Sequence, residues 1–264
     1  MREQNEIKED LKRCDRELFE LLMKRMGYVK EITEYKKKHG LPVFQSEEEE
    51  VQYEKLLVEV GDKGYNEELL GIFQQIIKES KSVQNKNLFR YNIALIGFMG
   101  TGKSTVSGYL KDMLAMNEVD VDAKIVETEK MPIKDIFERY GEEYFRNCES
   151  KAIIDLNDCR QTIISCGGGA VIREENVKNL KKNSRIVLLT ASPETILKRV
   201  KDSEERPILN GNMNVEYIKT LMERRDRLYQ DAADVIIETD NKDVQEISEE
   251  LIQSLMKLET GEPS

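Results

Sequence analysis

The chain has 264 residues, enough for one or two domains, and its 35% charged and 39% hydrophobic residues indicate a globular protein with a real core. A net charge of -10 argues against nucleic acid as a main partner, and no apolar run approaches the length of a membrane span. His39 is the single histidine, which disfavours a histidine-based triad or metal cluster. The four cysteines lack metal-type spacing, so we expect reduced thiols and a cytoplasmic location.

The first predicted element is a helix whose apolar residues recur every three to four positions for more than 25 residues. A repeat of this length is typical of a helical bundle or a coiled coil. The seam consists of Lys8, Leu11, Asp15, Leu18, Leu22, Arg25, Val29, Ile32 and Lys36. Its members Lys8, Arg25 and Lys36 are cations, and a buried charge is costly unless it is paired or liganded.

Two further predicted helices also carry polar residues on apolar stripes. Glu49 shares a helix face with Tyr53 and Leu56, while Ser80 and Gln84 continue the apolar stripe of the third helix. A bundle with such a polar, net-cationic interior is a candidate site for a small anion. Polar seam residues also fix helix register or oligomeric state, and periodicity alone favours that simpler interpretation.

The character of the sequence changes after the third helix. Residues 1–86 are predicted to form an all-α helical bundle domain, residues 87–91 a linker, and residues 92–264 a second domain. In the second domain short apolar runs alternate with helical segments, which predicts an α/β fold with a parallel sheet. The predicted strands are Asn92–Ile96, Thr162–Ser165, Arg185–Thr190 and Asp234–Glu238, with a further strand ending near Asp120.

A phosphate-binding motif directly follows the first predicted strand. The stretch from Gly97 to Ser104 has the form G-x-x-x-x-G-K-[ST], and a helical pattern comes after it, as this motif requires. The glycines allow backbone N–H groups to face a polyphosphate, Lys103 can reach the terminal phosphates, and Ser104 can ligate Mg²⁺. We therefore expect a nucleoside triphosphate to bind here. The expected contacts are Gly97, Gly100, Thr101, Gly102, Lys103, Ser104 and Thr105.

Two later features are candidates for binding a second ligand through side chains. Asp120 and Asp122 lie at a strand end, at the edge of the sheet where ligands bind in parallel α/β folds. Asp120 could hold Mg²⁺ through water and Asp122 could engage a substrate hydroxyl, although a solvated turn explains both residues too. The guanidinium of Arg146 suits a carboxylate, but its spacing from Glu149 fits a surface ion pair better when it is taken alone.

Two loops complete the set of candidates. The glycines of Gly167–Gly169 follow a predicted strand and allow the backbone to approach a ligand closely, although a simple loop is the alternative. Arg206 lies in the polar stretch Lys201–Asn214, which we expect to be a mobile loop. Loops of this kind close over phosphates and exclude water.

Taken together, in order and spacing, these motifs resemble those of the shikimate kinase family. The matching elements are the phosphate loop, D-x-D at 120–122, F-R-x-x-E at 145–149, G-G-G at 167–169, R-P-x-L at 206–209 and R-x-x-L-Y at 225–229. The resemblance covers about residues 91–258 and implies the nucleoside-monophosphate-kinase fold. It also implies ATP-dependent phosphorylation of shikimate to shikimate 3-phosphate with Mg²⁺ as cofactor. An alternative acceptor is another small polyol acid such as gluconate.

The resemblance assigns roles to single residues. It implies that Lys103 and the loop amides hold the ATP phosphates, that Ser104 binds Mg²⁺, and that Asp120 supports the ion through water. Asp122 is implied to contact the shikimate hydroxyl that attacks. Arg146 and Arg225 are implied to clamp the shikimate carboxylate, and Gly168 and Gly169 to offer backbone contacts. Arg206 is implied to close over the phosphoryl group. Arg199 is implied to lie near adenine.

Residues from about 4 to 86 resemble the all-helical chorismate mutase family. The matching pieces are Asp15, Arg25, Lys36, Pro42-Val43, Glu49, Ser80 and Gln84. The resemblance implies conversion of chorismate to prephenate by an intertwined homodimer, in which each site borrows a cation, here Lys8, from its partner. It further implies that Lys36 and Gln84 face the ether oxygen of chorismate, that Arg25 binds a carboxylate and Glu49 the ring hydroxyl, and that Ser80 completes the binding site.

Three residues of the first domain differ from the chorismate mutase pattern. Lys8 stands where the family has an arginine, Gln45 where it has an aspartate, and Glu48 where it often has an arginine. Lysine keeps the charge but loses the bidentate fork, and an added anion disfavours a dianionic ligand. The alternative to a second catalytic site is therefore a non-catalytic dimerisation or effector-binding domain.

Overall fold

The computed structural model describes residues 2–39, 55, 64–200 and 214–260. The chain divides into two compact units, Met1–Leu88 and Phe89–Ser264, and each is described by itself. Within the described ranges, none of the helices combines the length and the apolar character that crossing a bilayer requires.

The first unit is built from two described helices that pack against each other, α1 (Gln4–Lys38) and α2 (Asn66–Leu88). At 1.5 Å per residue α1 is about 52 Å long and α2 about 34 Å, so α2 can cover only part of α1. The buried stripe of α2 contains Ile77, Ser80, Gln84 and Leu88. The helix ends at Leu88, two residues into the predicted linker 87–91. Leu88 is the last buried residue of this stripe, which explains why the helix extends that far.

The second unit contains a five-stranded parallel sheet with strand order β2-β3-β1-β4-β5. The strands are β1 (Asn92–Ile96), β2 (Asn117–Asp120), β3 (Thr162–Ser165), β4 (Ser184–Thr190) and β5 (Val235–Glu238). The central strands β1 and β3 are buried along their whole length, as expected of parallel strands with both faces covered. The predicted fold class is confirmed, and β1 and β3 have the predicted bounds.

Helices connect the strands of this sheet, and one more helix follows the last strand. They are α3 (Lys103–Leu114), α4 (Val121–Glu129), α5 (Ile133–Asp155), α6 (Glu174–Lys181), α7 (Pro193–Val200), α8 (Val215–Ala232) and α9 (Val244–Thr260). Gly141 interrupts α5 with a φ of 81°, so the segment that begins at Glu142 has a direction of its own. This segment carries Arg146 and Glu149 into the core, where both are buried.

Candidate active site

A cleft of about 770 Å³ opens where the carboxyl ends of β1, β2 and β3 meet the loops that follow them. Its lining includes the phosphate loop, both predicted aspartates, the glycine loop 167–169 and three arginines from different helices. Ligands bind at this edge of open parallel sheets. The predicted residues that line the cleft are Gly100, Thr101, Gly102, Lys103, Ser104, Thr105, Asp120, Asp122, Arg146, Gly168, Gly169, Arg199 and Arg225.

The phosphate loop turns sharply between β1 and α3. Gly97 has a φ of 143°, and a Cβ there would clash with the carbonyl oxygen of Leu189 on β4, so glycine is required at this position. Thr101 closes the turn by donating from Oγ1 to the carbonyl of Phe98 at 2.9 Å. The loop therefore delivers the amino end of α3 to the cleft, where backbone N–H groups and the helix dipole favour an anion.

Lys103 lies at the first position of α3 and folds back over the phosphate loop. Its Nζ donates to the carbonyl of Gly97 at 2.8 Å and to that of Phe98 at 3.0 Å. These contacts hold the ammonium group directly above the loop. From there a short movement of this flexible side chain would be enough to reach an anion bound at the loop.

Arg199 on α7 packs on the other side of the same loop. Its Nη1 donates to the carbonyl of Gly100 at 3.2 Å, and its two terminal nitrogens donate to Oγ1 and the carbonyl of Thr239 at 3.0 Å each. Thr239 follows β5, so Arg199 connects the phosphate loop to the far edge of the sheet. Lys242, Val244 and Ile247 line the cleft as well, although no motif in the sequence singled them out.

Asp120 and Asp122 lie at the junction of β2 and α4. Asp120 caps α4 by accepting a hydrogen bond from the backbone nitrogen of Ala123 at 2.9 Å. Asp122, in the first turn of the helix, points towards the glycine loop, since a Cβ on Gly167 would lie 2.6 Å from its Oδ1. The predicted alternative of a solvated turn does not describe Asp122, whose carboxylate lies in the cleft.

Arg146 forms the ion pair with Glu149 that its spacing suggested, but the pair is buried rather than on the surface. Nη1 of Arg146 donates to Oε2 of Glu149 at 2.9 Å, and Nη2 donates to Oε1 of the exposed Glu142 at 3.1 Å. Burial raises the pKa of Glu149. The positive charge of Arg146 opposes this rise, and the negative charge of Asp122 adds to it. Burial opposes the charge on Arg146, but Glu149 and Glu142 raise the pKa of the guanidinium.

The glycine loop contacts both arginines that the resemblance assigns to the substrate carboxylate, Arg146 and Arg225. A Cβ on Gly169 would clash with the guanidinium of Arg146, and the carbonyl of Gly168 accepts a hydrogen bond from Nη1 of Arg225 at 3.1 Å. The same carbonyl accepts from the hydroxyl of Tyr229, and burial raises the pKa of that tyrosine to about 12. Tyr229 and Glu149 belong to motifs quoted above, but sequence reasoning gave neither a place in the site.

Two predicted site residues, Arg206 and Glu49, lie outside the described residues, as do Gln45 and Glu48. The roles assigned to Arg206 and Glu49 stay predictions. Ser104 and Thr105 are exposed at the start of α3, which leaves their hydroxyls accessible from the cleft.

The first unit brings part of a second candidate site together. Arg25 on α1 donates from Nη1 to Oγ of Ser80 on α2, and Gln84, one turn further along α2, is buried like Ser80. Lys36 is half-buried three turns beyond Arg25 on α1. Lys8 is exposed and lies about 25 Å from Arg25 along the helix axis, so a single chain does not bring it to this cluster.

Comparisons with known proteins agree with this division into two units. Residues 99–256 match the family model described as shikimate kinase, and residues 7–85 match the model described as chorismate mutase type II. A shikimate kinase from Dehalococcoides mccartyi is 42% identical over 168 residues, which cover 64% of this chain and 95% of that relative. A shikimate kinase from Geobacter sulfurreducens is 44% identical over 160 residues, which cover 61% and 88%.

Solved structures are similar to the same part of the chain. The shikimate kinase from Acinetobacter baumannii in complex with shikimate has 30% identity and a TM-score of 0.60, and the match covers 67% of this chain and 97% of that protein. The shikimate kinase from Aquifex aeolicus has 36% identity and a TM-score of 0.57, with coverage of 64% and 99%. In each case the similarity extends over almost the whole length of the solved shikimate kinase.

Proposed function

The chain belongs to the shikimate kinase family, and from this premise we propose that its second unit phosphorylates shikimate with ATP while its first unit converts chorismate to prephenate. One observation carries the kinase assignment: the phosphate loop, Asp122 and the arginines Arg146 and Arg225 all meet in one cleft. The matches favour shikimate over gluconate, the other acceptor considered from the sequence.

The nucleotide half of the cleft positions the phosphates of ATP. The amides of the loop and the amino end of α3 face the β- and γ-phosphates, and Lys103 moves from the loop carbonyls to them. Arg199 supports the loop from α7 and lines the cleft. The family resemblance assigns it a place near adenine. Phosphoryl transfer depends mainly on in-line positioning and charge neutralisation, and these groups supply both.

A magnesium ion fits the oxygen donors of Ser104, at the start of α3, and Asp120, at the end of β2. Mg²⁺ takes hard oxygen ligands and is held by one or two protein groups together with the phosphates and water. The hydroxyl of Ser104 and the carboxylate of Asp120 both line the cleft and belong to this class of donor. When bound, the ion would be held by Ser104 and, through water, by Asp120, and it would supply positive charge that offsets the charge on the phosphates during transfer.

The acceptor half of the cleft positions shikimate. Arg146 and Arg225 converge on the glycine loop and offer guanidinium groups to the carboxylate of shikimate. Glu142 is exposed, so the hydrogen bond that Arg146 donates to it can be redirected to the carboxylate of the ligand. The buried Glu149 keeps the guanidinium oriented. Asp122 then faces the hydroxyl that attacks the γ-phosphate and accepts its proton. Closure over the phosphoryl group is assigned to Arg206.

Replacing Arg146 or Arg225 by lysine tests the carboxylate clamp. Lysine keeps the charge but loses the fork, and a buried charge-assisted pair is worth about 2–5 kcal/mol, so we expect KM for shikimate to rise at least about thirtyfold. KM for ATP should change far less. Arg227→Lys is a matched control, because Arg227 is exposed on α8 and pairs only weakly with Asp231. Equal changes in both KM values would indicate a structural role instead.

The chorismate mutase assignment of the first unit is supported by the contact between Arg25 and Ser80 and by the burial of Gln84. In that reaction Lys36 and Gln84 stabilise the charge that develops on the ether oxygen, and Arg25 holds a carboxylate of chorismate. Holding the compact conformer supplies the rest of the rate enhancement. Glu49 is assigned to the ring hydroxyl.

A homodimer through the first unit is supported by apolar residues of α1 that α2, the other described helix of this unit, does not cover. Leu11, Leu18 and Leu21 are 61%, 53% and 65% exposed, on a helix that α2 is too short to cover. Burying each such side chain contributes about 1.5–3 kcal/mol. An intertwined partner that covers them would also bring its Lys8 to the cluster of Arg25 and Ser80.

Sedimentation and a chorismate assay on the full chain and on residues 1–88 test this proposal. We expect both to be dimers, and Lys36→Ala and Gln84→Ala each to lower mutase activity about 10²–10³-fold without dissociating the dimer. Lys37→Ala, at an exposed neighbouring position, is the control. Lys8→Arg should raise activity by restoring a bidentate contact. A dimer without turnover would support the non-catalytic alternative, and a monomer would contradict the architecture.

We assign the protein to the cytoplasm. ATP is the proposed co-substrate, and Cys14, Cys148, Cys159 and Cys166 are all free thiols in the structure. Free thiols are typical of a reducing compartment.

A further inference from the structure

Arg173 forms a hydrogen-bonded junction between the exit of the glycine loop and α5. It follows the short 3₁₀ helix Ala170–Ile172, which continues directly from the glycine loop. Its Nη1 donates to Oδ1 of Asn147 at 2.8 Å and to Oγ of Ser150 at 3.2 Å, and its Nη2 donates to Oε1 of Glu143 at 2.6 Å. One guanidinium therefore bridges three successive turns of α5.

The residues held by Arg173 are the sequence neighbours of the residues that form the acceptor site. Glu142, Arg146 and Glu149 have the spacing i, i+4, i+7 on α5, and the three partners of Arg173 have the same spacing one position later. One residue corresponds to a rotation of about 100° around the helix axis. Arg173 consequently holds the face of α5 next to the one that carries Arg146, without lining the cleft itself.

A second contact fixes the other side of the same loop exit. Asn176 on α6 is fully buried, and its Nδ2 donates to the carbonyl of Ala170 at 3.1 Å. The loop exit is thus held by α6 through Asn176 and by α5 through Arg173. Between these two attachments, the distance from the glycine loop to α5 has little freedom to vary.

We propose that Arg173 is a positioning residue for the phosphoryl acceptor, because it fixes Arg146 on α5 relative to the glycine loop that Arg225 contacts. The inference rests on the proposed clamp of the acceptor carboxylate by Arg146 and Arg225. A carboxylate held by two arginines requires their separation to be constant, and that separation is set by the α5-to-loop distance. A shift of about 1 Å in such a site costs on the order of a hundredfold in rate.

Two of the three contacts contribute little to folding, because Glu143 and Asn147 are exposed, and the third is a hydrogen bond to the neutral hydroxyl of the buried Ser150. Glu143 is 84% exposed and is rehydrated when its partner is lost, and ion pairs of this kind add little to stability. The expected signature of Arg173 is therefore a change in acceptor kinetics with a nearly unchanged Tm. A merely structural role would lower Tm and affect both substrates alike.

Steady-state kinetics of the full chain with Arg173→Met and Arg173→Lys test the proposal, with shikimate and ATP varied separately. We expect Arg173→Met to raise KM for shikimate about tenfold, which is less than the effect of a full 1 Å displacement. KM for ATP should rise by less than about twofold. Arg173→Lys should recover only part of the loss, because one ammonium group cannot bridge three turns. Arg160→Met is the matched control, since Arg160 also donates to two neighbouring groups, the carbonyls of Asn157 and Cys159, but outside the cleft.

The possible outcomes separate this inference from the proposed function. Unchanged kinetics for Arg173→Met, equal changes for both substrates, or full recovery by lysine would each overturn it. If Arg173→Met does not fold, Asn147→Ala removes one bridge and should still raise KM for shikimate severalfold. If Arg146→Lys raises KM for shikimate in the same assay while the variants of Arg173 do not, only this inference fails. If Arg146→Lys has no such effect, the proposed clamp fails.

Discussion

Asp122→Asn is expected to lower kcat for shikimate phosphorylation by about 10²–10⁴-fold while ATP binding persists. Asp122 lies against the glycine loop, within the cleft that also holds Lys103 and Arg146. From there a carboxylate can orient the acceptor hydroxyl and accept its proton, whereas an amide of the same shape cannot accept it. Steady-state kinetics, together with a separate measurement of ATP affinity, distinguish loss of chemistry from loss of binding.

Asp112→Asn is the control for this experiment, because Asp112 is an exposed carboxylate on α3. Its turnover should equal that of the unmodified chain. A kcat for Asp122→Asn within a few-fold of the unmodified chain would contradict the role assigned to Asp122. A parallel loss of ATP affinity would mean instead that the substitution disturbs α4 or the phosphate loop.

The sheet could be predicted from the sequence wherever burial imposes a pattern. β1 and β3 are buried on both faces, so adjacent apolar residues mark the interior of each strand, and their predicted bounds agree with the structure. β2 is different because it lies at the edge of the sheet, and its sequence, Asn117–Asp120, contains one apolar residue. The sequence predicts its end near Asp120 but not its start, because pairing with β3 determines how far this strand extends and such a long-range partner leaves no local signal.

The acceptor site shows where sequence reasoning stops. The spacing of Arg146 and Glu149 is the same in a surface ion pair and in a buried one. Only the packing of α5 against the glycine loop, after the break at Gly141, determines that this pair is buried. The bridge formed by Arg173 is harder to predict from the sequence, because 23 to 30 residues separate Arg173 from its partners.

The first unit illustrates a further limit. The apolar seam of α1 could be read from its periodicity, but a seam does not indicate which chain covers it. In the structure Leu11 and Leu18 belong to that seam and are exposed, while Arg25 reaches Ser80 within the same chain. The position of Lys8, far along α1 from Arg25, is explained if the covering element comes from a second copy.

Lys103→Ala is expected to lower kcat for phosphorylation by about 10²–10³-fold, as removal of one preorganised charge-stabilising group does. Lys103 is held over the phosphate loop by the carbonyls of Gly97 and Phe98. Its proposed role is to neutralise charge on the β- and γ-phosphates during transfer. Unlike Asp122→Asn, this substitution should also weaken ATP binding, because the phosphates carry charge before the reaction begins.

Lys178→Ala provides the control for that experiment, since Lys178 forms an exposed pair with Glu174 on α6. The mutase activity of the same full-chain sample gives an internal measure of folding, because Lys103 belongs to the other unit. We expect it to be unchanged while phosphorylation is lost. Normal phosphorylation in Lys103→Ala would contradict the assignment of the loop. Loss of both activities would show that the substitution damages the chain rather than the nucleotide site.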